Sequence, residues 1–250
     1  MTRISATIIT WNEEKNIARA INSIKSYVDE VVVVDMGTDK TLEIAKKLGA
    51  KVYKHKYTGY VEPARNFAIS KATGDWIFIL DADEEIPASL GKKLTDLTKT
   101  EFTYFEVPRK NIVFDKWLKH SRWWPDYIIR FFKKGTLIWP EDIHIQPKPK
   151  GSGLQLESTD ENAIIHYHYQ SISQYLDRLN RHTDRHLKRL QNENYKFVWT
   201  DLIRKPTNEF LSRFYYGKGF KDGLHGLALS MLQAFSELVL YLKFWESEKF

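Results

Sequence analysis

The 250-residue sequence contains no cysteine. That absence excludes a disulfide framework, thiolate zinc sites, iron-sulfur clusters and a catalytic thiol, and it leaves oxygen and imidazole as the ligands for any metal. Glycine and proline are scarce, at 12 and 8 residues, which excludes a collagen-like chain. No Gly-x-Gly-x-x-Gly follows the first apolar run and no Gly-Lys-Ser/Thr occurs anywhere, so the phosphate loops of dinucleotide and Walker-type sites are missing. The first residues run straight into a strand-like segment without a basic region, a long apolar stretch and a cleavage site. The expectation is a cytoplasmic protein without a secretory leader.

Hydrophobic residues at 42% and charged residues at 28% are the proportions of a chain that folds around a core. The length suits one large domain, or one core with a substantial appendage. The net charge of +6 is unevenly placed, because residues 101–250 carry 23 Lys/Arg against 18 Asp/Glu while the first hundred are nearly balanced. The same later region holds 27 of the 35 aromatic residues and seven of the eight histidines. Such a shift points to two lobes, the second built to meet something anionic or sugar-like: a nucleic acid, a lipid headgroup region or a phosphorylated glycan.

In the first hundred residues, short apolar runs at 4–10, 31–34, 51–53 and 76–80 read as strands. Amphipathic segments at 14–26, 41–48 and 63–72 read as helices, with Asn12 available to cap the first. The runs VVVV and WIFIL are apolar at every position, as in parallel strands covered by helices on both faces. The fold class is therefore α/β. In such sheets ligands bind beyond the carboxyl ends of the strands, where the loops Thr10-Trp11-Asn12-Glu13, Asp35-Met36-Gly37-Thr38-Asp39 and Asp81-Ala82-Asp83-Glu84-Glu85 lie. Their polar groups are mostly carboxylates, and a carboxylate-lined pocket holds a diphosphate only through a divalent cation. If the chain stays extended past Leu80, Asp81 and Asp83 point the same way and offer hard oxygens to Mg²⁺ or Mn²⁺. An Asp-x-Asp pair at a strand end also serves as a plain turn or helix cap. An EF-hand is excluded, since its glycine and bidentate glutamate would fall on Ile86 and Lys92.

These motifs, with Ala64-Arg65-Asn66 and Ala72-Thr73-Gly74-Asp75 between them, resemble family 2 glycosyltransferases in order and spacing over about residues 3–100. Trp124-Pro125-Asp126, Arg130-Phe131-Phe132, Trp139, His144, His166-Tyr167 and the Gly217–Gly223 run are similar to the bacterial subgroup that builds lipopolysaccharide core and related surface glycans. The resemblance implies a GT-A type fold, a mostly parallel sheet flanked by helices, and inverting transfer of a sugar from a nucleotide diphosphate. It implies that Thr10, Trp11, Asn12 and Glu13 wall the nucleoside and that Asp35 faces the base or ribose. Arg65 would approach the base or diphosphate, and Asp81, Ala82 and Asp83 would handle ribose and metal. Trp123, Trp124 and Arg130 would meet the acceptor.

Two departures limit what carries over. The loop after the second strand is one residue shorter than the Asp-Ser-Gly-Ser-Thr-Asp of relatives, and Ile145 follows His144 where relatives often have Glu. The base that deprotonates the acceptor hydroxyl then falls to Glu141, Asp142, Asp126 or His144 itself. The missing carboxylate also leaves open a binding protein that no longer transfers. A sugar nucleotidyltransferase is the other enzymatic rival, although it would need a triphosphate loop near the first strand. A nucleic-acid-binding protein fits the pI of about 9.2 but no recognition motif accompanies it.

Three regions are expected: a nucleotide-sugar subdomain at 1–105, an acceptor subdomain of mixed strands and loops at 106–170, and a helical extension at 171–250. Strands are expected at 102–108, 127–132 and 163–169, with an exposed loop at 147–153. Ser171 opens a helix to about residue 192, with Leu176, Leu179, Leu187 and Leu190 on its apolar face and Arg178, Arg181, Arg185 and Lys188 opposite, which suits an anionic membrane surface or a phosphorylated lipid-linked acceptor. The last helix, 224–245, is apolar but interrupted by Ser230, Gln233, Ser236, Glu237 and Lys243. It is expected to pack on the core or lie at a membrane interface rather than to span.

Overall fold

The computed structural model describes residues 2–57, 63–140 and 147–248. In chain order the elements are β1 (Ile4–Thr10), α1 (Ile17–Ile24), β2 (Glu30–Asp35), α2 (Thr41–Lys47), β3 (Lys51–Lys54), α3 (Pro63–Lys71), β4 (Trp76–Asp81), β5 (Glu84–Glu85), α4 (Ala88–Leu97), β6 (Tyr104–Val113), β7 (Lys116–Trp117), β8 (Asp126–Lys133), β9 (Gly153–Gln155), β10 (Ile164–Tyr169), α5 (Ile172–Asn192) and α6 (Asp201–Leu211). A π-helical turn at Ser212–Tyr216 and a 3-10 turn at Gly219–Asp222 lead into α7 (Gly223–Ser247). The chain divides into two compact units, residues 1–110 with 126–166 and residues 111–125 with 167–250, so the 106–170 region is shared between them.

The first unit is built on a mixed sheet. Strands β3, β2, β1 and β4 lie side by side and parallel. β8 then pairs antiparallel with both β4 and β6. Because successive strand residues face opposite ways, the all-apolar runs supply two cores at once. Ala6, Ile8, Val31, Val33, Phe78 and Leu80 pack with Ile17, Ala20, Ile21 and Ile24 of α1 and Leu90 and Leu94 of α4. Ile9, Val32, Val34, Ile77 and Ile79 pack with Ala64, Ala68 and Ile69 of α3 on the other side. The α/β layering expected from periodicity is what forms.

Two local expectations fail for identifiable reasons. Asn12 does not cap α1: its backbone is left-handed (φ 57°) and its Oδ1 accepts the Thr38 amide at 2.9 Å. The helix starts five residues later, with Asn16 in the cap position, because the Glu13 carbonyl is taken by the Asn16 and Ile17 amides. The chain also fails to stay extended past Leu80, since Ala82 and Asp83 form a turn between β4 and β5.

The second unit packs α7 against α5 and α6. Ser171 caps α5 as expected, accepting the Gln174 amide at 3.1 Å, while Gln174 reaches back to the Gln170 amide at 2.8 Å. Its inward residues are Tyr175, Leu179, Thr183 and Leu190, and Leu176 is left 42% exposed. The buried stripe keeps Leu179 and Leu190 of the leucine pattern and is shifted slightly toward Tyr175, which meets Tyr169 edge-on in one cluster. The basic face is partly spent internally: Arg178 donates to the His168 carbonyl and covers the Tyr169 ring.

At the amino end of the sheet, Glu30 is buried and accepts from Ser5 Oγ at 2.6 Å, Thr73 Oγ1 at 2.8 Å and Lys51 Nζ at 2.6 Å. Burial alone would raise its pKa, but the Lys51 ammonium and the Ser5 and Thr73 donors outweigh it and hold the carboxyl at about 2. A depressed carboxylate contributes stability that is complete above the unfolded pKa and is lost as pH falls through the folded one. Chemical denaturation of the Glu30→Gln variant should therefore show a loss on the order of 3 kcal/mol at neutral pH, and a flatter stability profile between about pH 5 and pH 2 than the parent. Parallel profiles would refute this assignment.

Candidate active site

The carboxyl ends of β1, β2 and β4 are brought level by their register, which sets Thr10 beside Asp35 and Ile9 beside Asp81. Asp35 is fully buried. Its Oδ1 accepts Thr10 Oγ1 at 2.8 Å and the Gly37 amide at 3.0 Å, and its Oδ2 accepts Lys54 Nζ at 2.6 Å. Lys54 also reaches the Gly37 carbonyl at 2.7 Å, so Asp35 and Lys54 together shape the loop that follows β2. Only glycine fits at position 37, since a Cβ there would lie 2.5 Å from the Asn12 amide nitrogen. Glu13 closes the neighbouring loop, its amide donating to Thr41 Oγ1 at 2.8 Å and its carboxylate accepting from Asn16 Nδ2 at 2.8 Å. Trp11 stands at the rim, 37% exposed, stacked on Tyr57 with ring centroids 4.7 Å apart and planes 4° from parallel.

Asp81 belongs to a buried ladder of alternating charge. Its Oδ1 accepts Arg65 Nη2 at 3.1 Å, and its Oδ2 accepts Arg130 Nη2. Arg130 Nη2 also donates to Glu84 Oε1 at 2.7 Å, and that oxygen lies 3.4 Å from Arg109 Nη1. Arg109 then holds Asp126 Oδ2 through Nε at 2.8 Å and Nη2 at 2.6 Å. Glu84 is fully buried, and its Oε2 accepts the Asp81 amide at 3.0 Å. Burial would push the Asp81 carboxyl up, but the Arg130 and Arg65 guanidiniums hold it far below the ordinary carboxylate range. Burial likewise acts against Arg130, and the Asp81 and Glu84 carboxylates reverse it. Arg130, expected to meet an acceptor, is instead 3% exposed and set beneath Asp81 by β8. Sequence reasoning missed Glu84 and Arg109; Arg109 lies in the mixed stretch YFEVPRKNIV, where nothing local sets it apart from Lys110 beside it.

Arg65 opens α3 and is 7% exposed, and its Nε and Nη1 have no hydrogen-bond partner among the described residues. Its Cζ lies 4.8 Å from the Trp139 ring. Asn66, next on the helix, clasps the Trp139 backbone through Nδ2 to the carbonyl at 2.8 Å and Oδ1 to the amide at 2.9 Å. Asp83, in the turn after β4, faces His166 on β10, Oδ2 to Nε2 at 3.6 Å, with side chains 16% and 6% exposed. Trp123 and Trp124 belong to the second unit, where Trp123 packs on His168 and Trp124 meets Trp117 edge-on. Glu141, Asp142 and His144 lie outside the described residues.

Residues 5–154 match the family model described as glycosyl transferase family 2. The chain belongs to glycosyl transferase family 2. This glycosyltransferase is 32% identical to an uncharacterized glycosyltransferase of Rickettsia typhi over 98% of its own length and 88% of the relative. It is 30% identical to another from Rickettsia felis, over 99% and 91%. A crystal structure of S. aureus TarS 1-349 in complex with UDP-GlcNAc aligns with TM-score 0.40 and 28% identity, over 44% of this chain and 35% of that one. A glucosyl-3-phosphoglycerate synthase from Mycobacterium tuberculosis, in complex with Mn²⁺, UDP and glucosyl-3-phosphoglycerate, aligns with TM-score 0.37 and 24% identity over 42% and 43%. The fold is a mixed α/β sheet with a C-terminal helix, and the matched family segment contains the whole charge ladder from Arg65 to Arg130.

Removing one member of a buried charge network leaves its partners uncompensated, a loss of about 3–5 kcal/mol. We expect Arg130→Met to destabilise the glycosyltransferase by up to that amount in urea titrations, because it leaves Asp81 with Arg65 alone and Glu84 with the longer Arg109 contact alone. Unchanged stability would mean that these carboxylates are solvated in the folded protein.

Proposed function

We propose that this glycosyltransferase moves a sugar, with inversion, from a nucleotide-diphosphate sugar to a hydroxyl of a glycan or lipid-linked acceptor of the lipopolysaccharide-core or surface-polysaccharide type, at the cytoplasmic face of the membrane. The observation that carries the donor is Arg65. Leaving two buried guanidinium donors unmet costs on the order of 1–3 kcal/mol each or more, and diphosphate oxygens arriving at the strand ends would meet them. Trp11, backed by Tyr57, offers a flat face for the base, and Thr10, Asp35 and Gly37 build the wall behind it.

The residues present also fit a divalent cation. Asp83 supplies a hard oxygen and His166 an imidazole, and their 3.6 Å separation is close to the roughly 3 Å between neighbouring ligands of Mn²⁺ or Mg²⁺. Among the described residues no group of three or more such ligands exists, which suits a cation that keeps water and substrate phosphates in its remaining positions. Asp81 was expected to share this role, but its oxygens are engaged by Arg65 and Arg130, so the proposal moves the second ligand to His166. When bound, the cation would offset charge on the departing diphosphate. The residues of the chain do the rest: Arg65 binds the diphosphate, Arg130 fixes Asp81 beside it, and a base takes the proton from the acceptor hydroxyl. Of the four candidates for that base, Asp126 is already held twice by Arg109, which favours Glu141, Asp142 or His144.

The test is nucleotide diphosphate release from a panel of nucleotide sugars with Mn²⁺ or Mg²⁺. Turnover should require the cation, and both Asp83→Ala and His166→Ala should lower it by at least about 100-fold with the fold intact. Unchanged turnover removes that residue from the metal role. Pyrophosphate release from a nucleoside triphosphate and a sugar phosphate would replace this reading with a nucleotidyltransferase. For the base, one variant among Asp126→Asn, Glu141→Gln, Asp142→Asn and His144→Ala should lower kcat while leaving the donor KM nearly unchanged. If none does, the base lies elsewhere.

A further inference from the structure

The second unit inverts the usual amphipathic pattern. On α7 the residues 40% or more exposed include Leu224, Met231, Phe235 and Leu242, at spacings of seven, four and seven that align them along one line of the helix. The opposite face is the buried one, carrying Leu229, Leu240, Tyr241 and Phe244. A helix normally turns its apolar stripe inward and its polar residues out. Here apolar side chains occupy both faces, and the outward stripe runs about 27 Å.

The chain entering this helix adds a different chemistry. Tyr215, Tyr216 and Phe220 are exposed, Tyr216 by 76%, and Lys218 and Lys221 stand exposed between and beside them. The one acid between residues 212 and 224, Asp222, is 5% exposed; its carboxylate accepts the His120 amide at 2.9 Å and lies 3.0 Å from His120 Nδ1. What faces water is therefore aromatic and cationic with no acid beside it in that segment. The segment packs closely on the start of α7: Lys218 has a left-handed backbone (φ 57°), and a Cβ on Gly226 would lie 1.8 Å from the Gly219 carbonyl oxygen.

Gly219–Ser247 is long and apolar enough to cross a bilayer. Crossing would require leaving the unit it belongs to. Lys243 Nζ is tied to Asn180 Oδ1 at 2.7 Å and Thr183 Oγ1 at 2.9 Å on α5, and the inner face of α7 is core. Lying flat keeps those contacts and covers the outward stripe. A second copy of the chain is a poorer occupant, since a two-fold contact through this face brings the same lysines together.

We propose that the Tyr215–Leu224 segment and the outward stripe of α7 seat the protein on an anionic bilayer, with α7 in the plane of the interface. Tyrosine and phenylalanine rings enter at headgroup depth, Lys218 and Lys221 meet lipid phosphates, and Leu224, Met231, Phe235 and Leu242 reach the acyl boundary. The proposal rests on the transfer reading only for the acceptor being membrane-borne, and attachment is measured apart from transfer.

Full-length protein should co-sediment with vesicles of phosphatidylcholine mixed with phosphatidylglycerol, more weakly with phosphatidylcholine alone, and less as salt rises. Lys218→Gln with Lys221→Gln should weaken partitioning to the anionic vesicles more than about tenfold. Tyr216→Ser with Phe220→Ser should weaken it on both vesicle types, with the thermal unfolding of each variant matching the parent. Equal partitioning of parent and variants overturns the proposal. So does absence of binding by a parent that sediments as a dimer and becomes monomeric on Met231→Ser with Phe235→Ser. A parent that binds vesicles through these residues yet releases no nucleotide diphosphate would sink the transfer reading and leave this one standing.

Discussion

Six charges alternate through the buried edge of one sheet, and the rest of the site depends on their staying paired. Arg65, Asp81, Arg130, Glu84, Arg109 and Asp126 each stand between opposite neighbours, or end the row. Taking any of them out of water alone would be far too costly for a folded domain to bear, and the row is tolerable because every charge has an opposite within reach. The arrangement favours the ionised form of Asp81, whose two oxygens are engaged by Arg65 and Arg130. The next carboxylate along the chain, Asp83, stands outside the row and faces His166.

The same constraint explains what could be read from the residues and what could not. The all-apolar runs VVVV and WIFIL carry their own evidence of burial on both faces, and they form β2 and β4 with helices on either side. The loops at the strand ends were legible as a site because topology alone brings Thr10, Asp35 and Asp81 level. The direction in which each carboxylate points was not. It depends on a turn at Ala82 and Asp83, and on arginines 28 and 49 positions beyond Asp81 that arrive through antiparallel strands β6 and β8. Periodicity says nothing about such long-range pairs. Arg130 read as an acceptor contact and Asn12 as a cap for the same reason: each was judged from its neighbours in sequence, and each is claimed by a group from another element.

The helical region shows the complementary limit. The leucine pattern of α5 located the helix and two of its inward residues, Leu179 and Leu190, while Tyr175 and Thr183 take the remaining buried positions and shift the inward face by about a tenth of a turn. α7 is apolar on every side, so pattern alone could not tell a core helix from an interfacial one. Exposure decides that its outward stripe is uncovered, and the lysines before it favour an anionic cover.

The clasp between Asn66 and the Trp139 backbone ties α3 to a point far along the chain. Arg65 precedes that asparagine on α3, and the chain leaves Trp139 toward the stretch that contains Glu141, Asp142 and His144. A rocking of α3 would carry the Arg65 guanidinium and the Trp139 backbone together. A displacement at one end of that clasp would therefore be passed to the other.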